Sequence, residues 1–227
     1  MSRAYSHAMK HPAIGAVIFD MDGVLVDSEP LYLRATNQVL AREGFTLTAE
    51  DNARYIGWRF ADQVVDMIGR GLLSREAEYY RRESLLAAES LFDQPIDPPP
   101  GAIALLDAVE GAGIIRAVGS SSSRHWVERM LTHLGIRERF HSVVCGDMVA
   151  RGKPAPDIFQ RCSELLRVPS ASCLVIEDSP HGAEAARRAG MQVIGLRTTS
   201  TVGLDLGECL AVVEDLAECL DLLGLSG

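Results

Sequence analysis

From Ile114 onward the chain alternates short apolar runs with amphipathic segments, and that alternation leaves few folds open to it. Residues 114–118, 142–145, 173–176 and 193–196 read as buried strands, each too short to be a helix and bounded by Gly, Ser or acidic residues. Residues 124–134, 156–166 and 180–189 fall between them with helical spacing. A late run, 210–213, reads as a further strand, followed by a helix over 216–222. Such alternation predicts an α/β fold, a parallel sheet with helices on both faces. An earlier apolar run, 14–19, supplies the first strand.

That first strand is separated from the rest by a block without strands. In residues 29–94, Leu31, Ala35, Val39 and Leu40 share one helical face, with Ser28 as N-cap, Pro30 in the first turn and Gly44 as the stop. Val64, Val65, Ile68 and Leu72 predict a second helix, and Tyr79, Leu85, Leu86 and Ala88 a third. Residues 95–101 contain four prolines and form a stiff linker, whose Pro100-Gly101 opens a helix running to Val109. The expected organisation is a core of residues 14–28 and 95–222, interrupted by an α-helical cap at 29–94.

The chain has 227 residues and a net charge of −9, which argues against a nucleic-acid surface or an anionic membrane as partner. No apolar run approaches the ~20 residues that span a bilayer. The five cysteines, Cys145, Cys162, Cys173, Cys209 and Cys219, form no C-x-x-C pair, which fits reduced thiols in a cytoplasm. Residues 1–13 are polar and lack the apolar stretch of a signal peptide, so they read as a frayed extension.

Four polar clusters fall at strand ends or helix starts. The first strand runs directly into Asp20 and Asp22, and carboxylates at the end of a buried strand are rarely there for packing. One can attack while the other trades protons, and a metal ion would relieve their repulsion. Ser120, Ser121 and Ser122 follow the second core strand, where hydroxyls and free N–H groups suit a phosphate oxygen. The plainer reading is a serine turn capping the helix at Arg124. Lys153, in Gly152-Lys153-Pro154-Ala155-Pro156-Asp157, is either a charge that neutralises a transferring group or an ordinary exposed lysine. Glu177-Asp178-Ser179 follows 173–176, giving oxygen ligands of the kind Mg²⁺ takes, or a helix cap, or both.

Together, Asp20-Met21-Asp22-Gly23-Val24-Leu25-Val26-Asp27-Ser28-Glu29, Ser120, Lys153 and Glu177-Asp178-Ser179 with Gly182 resemble the haloacid dehalogenase-like hydrolase superfamily. Within it, the β-phosphoglucomutase-like subgroup with a helical cap is the nearest resemblance, covering about residues 14–222. The resemblance implies a Rossmann-like core and an Mg²⁺-dependent phosphatase acting on a small phosphorylated metabolite, a sugar phosphate or phosphorylated sugar acid. It makes Asp20 the nucleophile that becomes an aspartyl-phosphate and Asp22 the general acid and base. Ser120 and Lys153 would hold the phosphoryl group. Asp20, the Asp22 backbone carbonyl and Asp178 would hold Mg²⁺, with Glu177 close by. Ser121 would join substrate binding. So would Trp58 and Arg59, reaching down from the cap, although a place in the cap core and a surface charge are the plainer readings of these two.

A phosphomutase is the alternative. Such enzymes carry a histidine near the position of Tyr32 and a basic cap residue where Phe60 aligns, and both departures favour the phosphatase. A haloacid dehalogenase needs neither Asp22 nor a metal, and a silent sugar-phosphate-binding protein would have lost Asp20 or Asp22. His125, His133 and His141 lack partners at metal spacing and read as structural. His181 reads as a partly exposed helix residue, and Cys145 and Cys173 as small core hydrophobes. A monomer or weak homo-oligomer is expected.

Overall fold

The computed structural model describes residues 14–89 and 96–226. The expected extension at 1–13, the end of the expected cap at 90–94 and Pro95 of the linker lie outside the described residues.

Six parallel strands form one sheet: β1 (Ala16–Phe19), β2 (Ile115–Gly119), β3 (Ser142–Val144), β4 (Cys173–Glu177), β5 (Gln192–Leu196) and β6 (Ala211–Val213). Their order is β3-β2-β1-β4-β5-β6. Chain order therefore reverses at β1, whose neighbours β2 and β4 lead to opposite edges. In open α/β sheets the crevice at such a reversal is where ligands bind. Register places Phe19 beside both Val118 and Ile176, so the residues that follow β1, β2 and β4 emerge together.

Side chains on β1 alternate between the two faces, as the strand period requires. Val17 and Phe19 join Leu105, Leu106, Met130 and Leu131 in one cluster. It lies under α5 (Ala102–Gly111), α6 (Arg124–His133) and α9 (Glu218–Leu223). Ala16 and Ile18 join Ile158, Phe159 and Cys162 of α7 (Asp157–Leu166) and Ala183, Ala185 and Ala186 of α8 (Pro180–Arg188) on the other face. With both faces covered, the strands are apolar throughout, which is why they are legible as continuous runs.

The insert folds as α1 (Glu29–Leu40), α2 (Ala49–Ala53), α3 (Phe60–Gly69) and α4 (Ala77–Glu89). It packs a cluster of its own around Val39, Leu40, Tyr55, Val64, Met67 and Tyr80. Three details depart from the sequence-based expectation. The short helix α2 has too few residues to show periodicity, although its capping box, Thr48 with Asp51, is written in the sequence. Val65 and Leu86, expected on buried faces, are each 62% exposed. Leu72 lies beyond the end of α3, because the chain turns at Arg70-Gly71 and Gly71 adopts φ 72°. Among the described residues no helix is long and apolar enough to cross a membrane.

Candidate active site

The chain leaves β1 with the Asp20 N–H donating to the Ile176 carbonyl at 2.9 Å, which extends the parallel ladder by one residue. It then wraps into a tight turn. The N–H groups of Leu25 and Val26 donate to the Met21 carbonyl, and that of Gly23 to Val26. Gly23 has φ 84°, and a β-carbon there would overlap the Asp178 carboxylate. The turn brings Ser28 back to Asp22. Ser28 stands at the N-terminus of α1 but makes no side-chain cap; its hydroxyl donates to Asp22 Oδ1 at 2.5 Å.

Asp22 Oδ2 accepts from Ser120 Oγ at 3.2 Å and Ser122 Oγ at 2.9 Å. Since the Ser122 hydroxyl points at Asp22, the Tyr32 hydroxyl donates to Ser122 across 2.7 Å. The serine turn is therefore not a helix cap: the Arg124 N–H donates to the Asp147 carboxylate instead. Burial raises the Asp22 pKa, and the hydroxyls of Ser28, Ser122 and Ser120 offset part of that. Ser121 turns the other way and donates to the carbonyl of Gly57 in the cap at 2.8 Å.

Lys153 is 4% exposed, so the ordinary surface lysine is excluded. Its Nζ donates to Asp20 Oδ1 at 2.7 Å and Glu177 Oε1 at 2.5 Å. The Phe159 ring lies beneath the ammonium, 4.9 Å away at its centroid. Glu177, wholly buried, accepts from the Ser179 N–H and hydroxyl through Oε2. Ser179 in turn caps α8 by accepting from the Gly182 N–H. Gly182 leaves room for Glu177, whose carboxylate a β-carbon would strike.

Asp20, Glu177 and Asp178 are all buried, with one carboxylate oxygen from each within 4.8 Å of the others. The Asp20 pKa is raised well above the ordinary carboxylate range, first by burial and then by Glu177 and Asp22, against the pull of Lys153. One ammonium does not balance three buried carboxylates, and an all-oxygen donor set is the kind a hard divalent cation takes. The residues present therefore fit Mg²⁺.

Above this floor lies a cavity of about 270 Å³, roofed by cap residues including Tyr55, Phe60 and Leu85. Trp58 and Arg59 line it too, and both reach the core. Trp58 packs on the cap cluster and its Nε1 donates to His181 Nε2 at 3.0 Å. Arg59 pairs with Asp62 and meets the carbonyls of Gly146, Val149 and Ala150. Sequence reasoning missed Ser28 and Tyr32 as partners in the Asp22 network, His181 as a cap contact, and Thr198, whose hydroxyl donates to Asp178 at 3.4 Å. Thr198 follows the end of β5, so the hydroxyl-after-strand signal that flagged Ser120 applied to it as well. His125 pairs with Glu89 at the surface, and His141 accepts from the Arg116 N–H, both consistent with structural roles.

The model of a haloacid dehalogenase-like hydrolase matches residues 17–196. The chain belongs to that family. Fructose-1-phosphate phosphatase YqaB of Escherichia coli is 34% identical over 186 residues, covering 80% of this chain and 95% of that protein. A solved structure of a CbbY mutant from Rhodobacter sphaeroides with xylulose-(1,5)bisphosphate superposes with a TM-score of 0.82 at 26% identity, covering 90% of this chain and 96% of that one. A β-phosphoglucomutase from Clostridium difficile gives 0.79 at 25% identity, covering 90% and 92%. The family and the β-phosphoglucomutase-like fold expected from the motifs are thus both found.

Proposed function

We propose that the protein is an Mg²⁺-dependent phosphatase that hydrolyses a small sugar phosphate through a phosphoryl group carried on Asp20. The observation that carries this reading is the pairing of Asp20, bridged to Glu177 by Lys153, with Asp22, held by three hydroxyls, at the floor of one cavity. When bound at Asp20 and Asp178, with the Asp22 backbone carbonyl, Mg²⁺ supplies charge neutralisation for the phosphoryl oxygens and the carboxylates.

The residues divide the work. An Asp20 carboxylate oxygen forms a bond to phosphorus as the bond from phosphorus to the sugar oxygen breaks. Asp22, protonated, gives its proton to that leaving oxygen. Water then forms a bond to phosphorus, its proton passes to Asp22, and the bond to Asp20 breaks to free inorganic phosphate. Lys153 and Ser120 hold the transferring oxygens, Ser120 by turning its hydroxyl from Asp22 to the phosphoryl group, where donors in a dry site act most strongly. Glu177 fixes the lysine. The cap, proposed as residues 29–94 on a core of 14–28 and 95–222, closes over the substrate and selects it, with Trp58 and Ser121 at the seam.

A phosphomutase is the second reading, favoured by the likeness to β-phosphoglucomutase. Against it, Tyr32 and Phe60 stand where the mutase pattern has a histidine and a basic residue, and Tyr32 is turned toward Ser122. A monomer or weak homo-oligomer is part of the same proposal. The buried free cysteines support a reducing, cytoplasmic setting.

The test is phosphate release from a panel of sugar phosphates, fructose 1-phosphate included, with and without Mg²⁺. Release that needs Mg²⁺ is expected. Conversion of β-glucose 1-phosphate to its 6-phosphate with negligible free phosphate would make the protein a mutase.

A further inference from the structure

We propose that Arg59 is a positioning residue that ties the seating of the cap to the placement of Lys153. The inference rests on the phosphatase reading for the role of that lysine. Arg59 stands just before α3 and reaches out of the cap. Its Nε and Nη2 hold Asp62 at 2.6 and 2.9 Å, which sets the plane of the guanidinium. The remaining fork, Nη1, faces three core carbonyls, those of Gly146 at 3.4 Å, Val149 at 3.5 Å and Ala150 at 3.4 Å. That segment joins β3 to Gly152-Lys153.

Two glycines shape the trough in which Arg59 lies. A β-carbon on Gly146 would strike the Ser121 carbonyl of the core and stand 3.1 Å from Arg59 Cδ, so this glycine serves the 120–122 turn first. One on Gly152 would meet Arg59 Nε at 2.6 Å, Cγ at 2.8 Å and Cδ at 2.9 Å. Gly152 does not occupy the left-handed region, so its backbone conformation is open to any residue; what the trough lacks, with Arg59 in it, is room for a β-carbon. It immediately precedes the lysine that bridges Asp20 and Glu177. Withdrawing the cap would pull Arg59 from this trough and remove the lining of the strap that holds Lys153. Closing the cap restores it. The guanidinium charge is already met by Asp62, so a substrate anion would have to displace that carboxylate to be read by Arg59.

The experiment is a cycle of R59A, G152A and the double variant, with R59K alongside, in the full chain. kcat and KM are measured for fructose 1-phosphate and p-nitrophenyl phosphate, and hydrogen exchange is followed over residues 146–153. R59A and G152A should each lower kcat roughly 10- to 100-fold on both esters, with KM nearly unchanged, because a displaced catalytic group costs rate. The double variant should be no worse than the worse single one, since the alanine methyl then occupies space Arg59 has left. R59K should recover part of the rate. Exchange over 146–153 should rise in each single variant and no further in the double. A rise in KM for the sugar phosphate alone, with kcat intact, would make Arg59 a substrate contact and overturn the proposal. So would additive losses. If the wild type hydrolyses neither ester, the phosphatase reading fails, and the exchange cycle alone decides the coupling: unchanged exchange in R59A and G152A refutes it.

Discussion

At the scale of single residues, the two aspartates differ in what surrounds them. Asp20 meets an ammonium and neighbouring carboxylates, whereas Asp22 meets only hydroxyls. Asn at position 20 has nearly the same shape and is a poor nucleophile, so Asp20→Asn should lower turnover by roughly 10⁴-fold or more with the melting temperature little changed. Retained phosphate release from that folded variant would remove Asp20 from the chemistry. Asp22→Asn separates proton transfer from bond formation. With a sugar phosphate, whose leaving oxygen needs a proton, the loss should be on the order of 10²- to 10⁴-fold. With p-nitrophenyl phosphate, whose leaving group does not, the first step, read as a burst of p-nitrophenol ahead of the slowed water step, should be largely spared, and loss of that burst would contradict the assignment. Asp20, Asp22 and Asp178 could be singled out because carboxylates at the ends of apolar strands have few packing explanations, whereas Lys153, which stands before α7, was singled out only by the family resemblance. Ser28 could not be, because its position before a helix satisfies capping rules equally well, and only the turn at 21–26 shows which partner its hydroxyl finds.

At the scale of elements, two contacts set the site, and each makes a prediction. Gly23 brings the turn after β1 against Asp178 at φ 84°, in a space no side chain shares. Gly23→Ala should push Asp178 aside and raise the Mg²⁺ concentration for half-maximal activity roughly 10- to 100-fold, the effect expected of a disturbed ligand support. An unchanged Mg²⁺ requirement would place the metal elsewhere. The second contact is that of Trp58 with His181. Burial lowers the His181 pKa, and the neutral ring accepts the indole N–H through Nε2. Because the folded-state pKa lies below the unfolded one, this contribution is complete above the unfolded value and is lost as pH falls through the folded value. Acidification should therefore shift Trp58 fluorescence, and His181→Asn should abolish that titration. An identical titration in the variant would assign it to another group. Helix periodicity located α1, α3 and α4 but not what covers them, which is why Val65 and Leu86 read as buried and are exposed.

At the scale of the whole molecule, the sheet order and the separate cluster in the insert divide the labour. The core places every charged group of the floor, and the cap roofs the cavity with a cluster of its own. Alternation of strand and helix made the core legible, since a buried parallel sheet writes itself as apolar runs. The seam between cap and core was not legible, because the reach of Arg59 to the 146–150 carbonyls joins residues nearly ninety positions apart. If the cap is a separate cooperative unit, Met67→Ala, which opens its cluster, should cost the cap about 2–5 kcal/mol. Hydrogen exchange should then rise over α1 to α4 while the strands stay protected. A uniform rise across both would show that cap and core unfold together.

The central claim is that Asp20 carries the phosphoryl group. The most direct measurement is mass spectrometry of Asp22→Asn enzyme, quenched in acid after mixing with Mg²⁺ and p-nitrophenyl phosphate. In that variant the first transfer proceeds while the water step lacks its base. One phosphoryl group on the peptide containing Asp20, absent when Asp20 is also changed to Asn, is the predicted result. Turnover with no labelled enzyme, or a phosphoryl group on a serine or histidine instead, would contradict it.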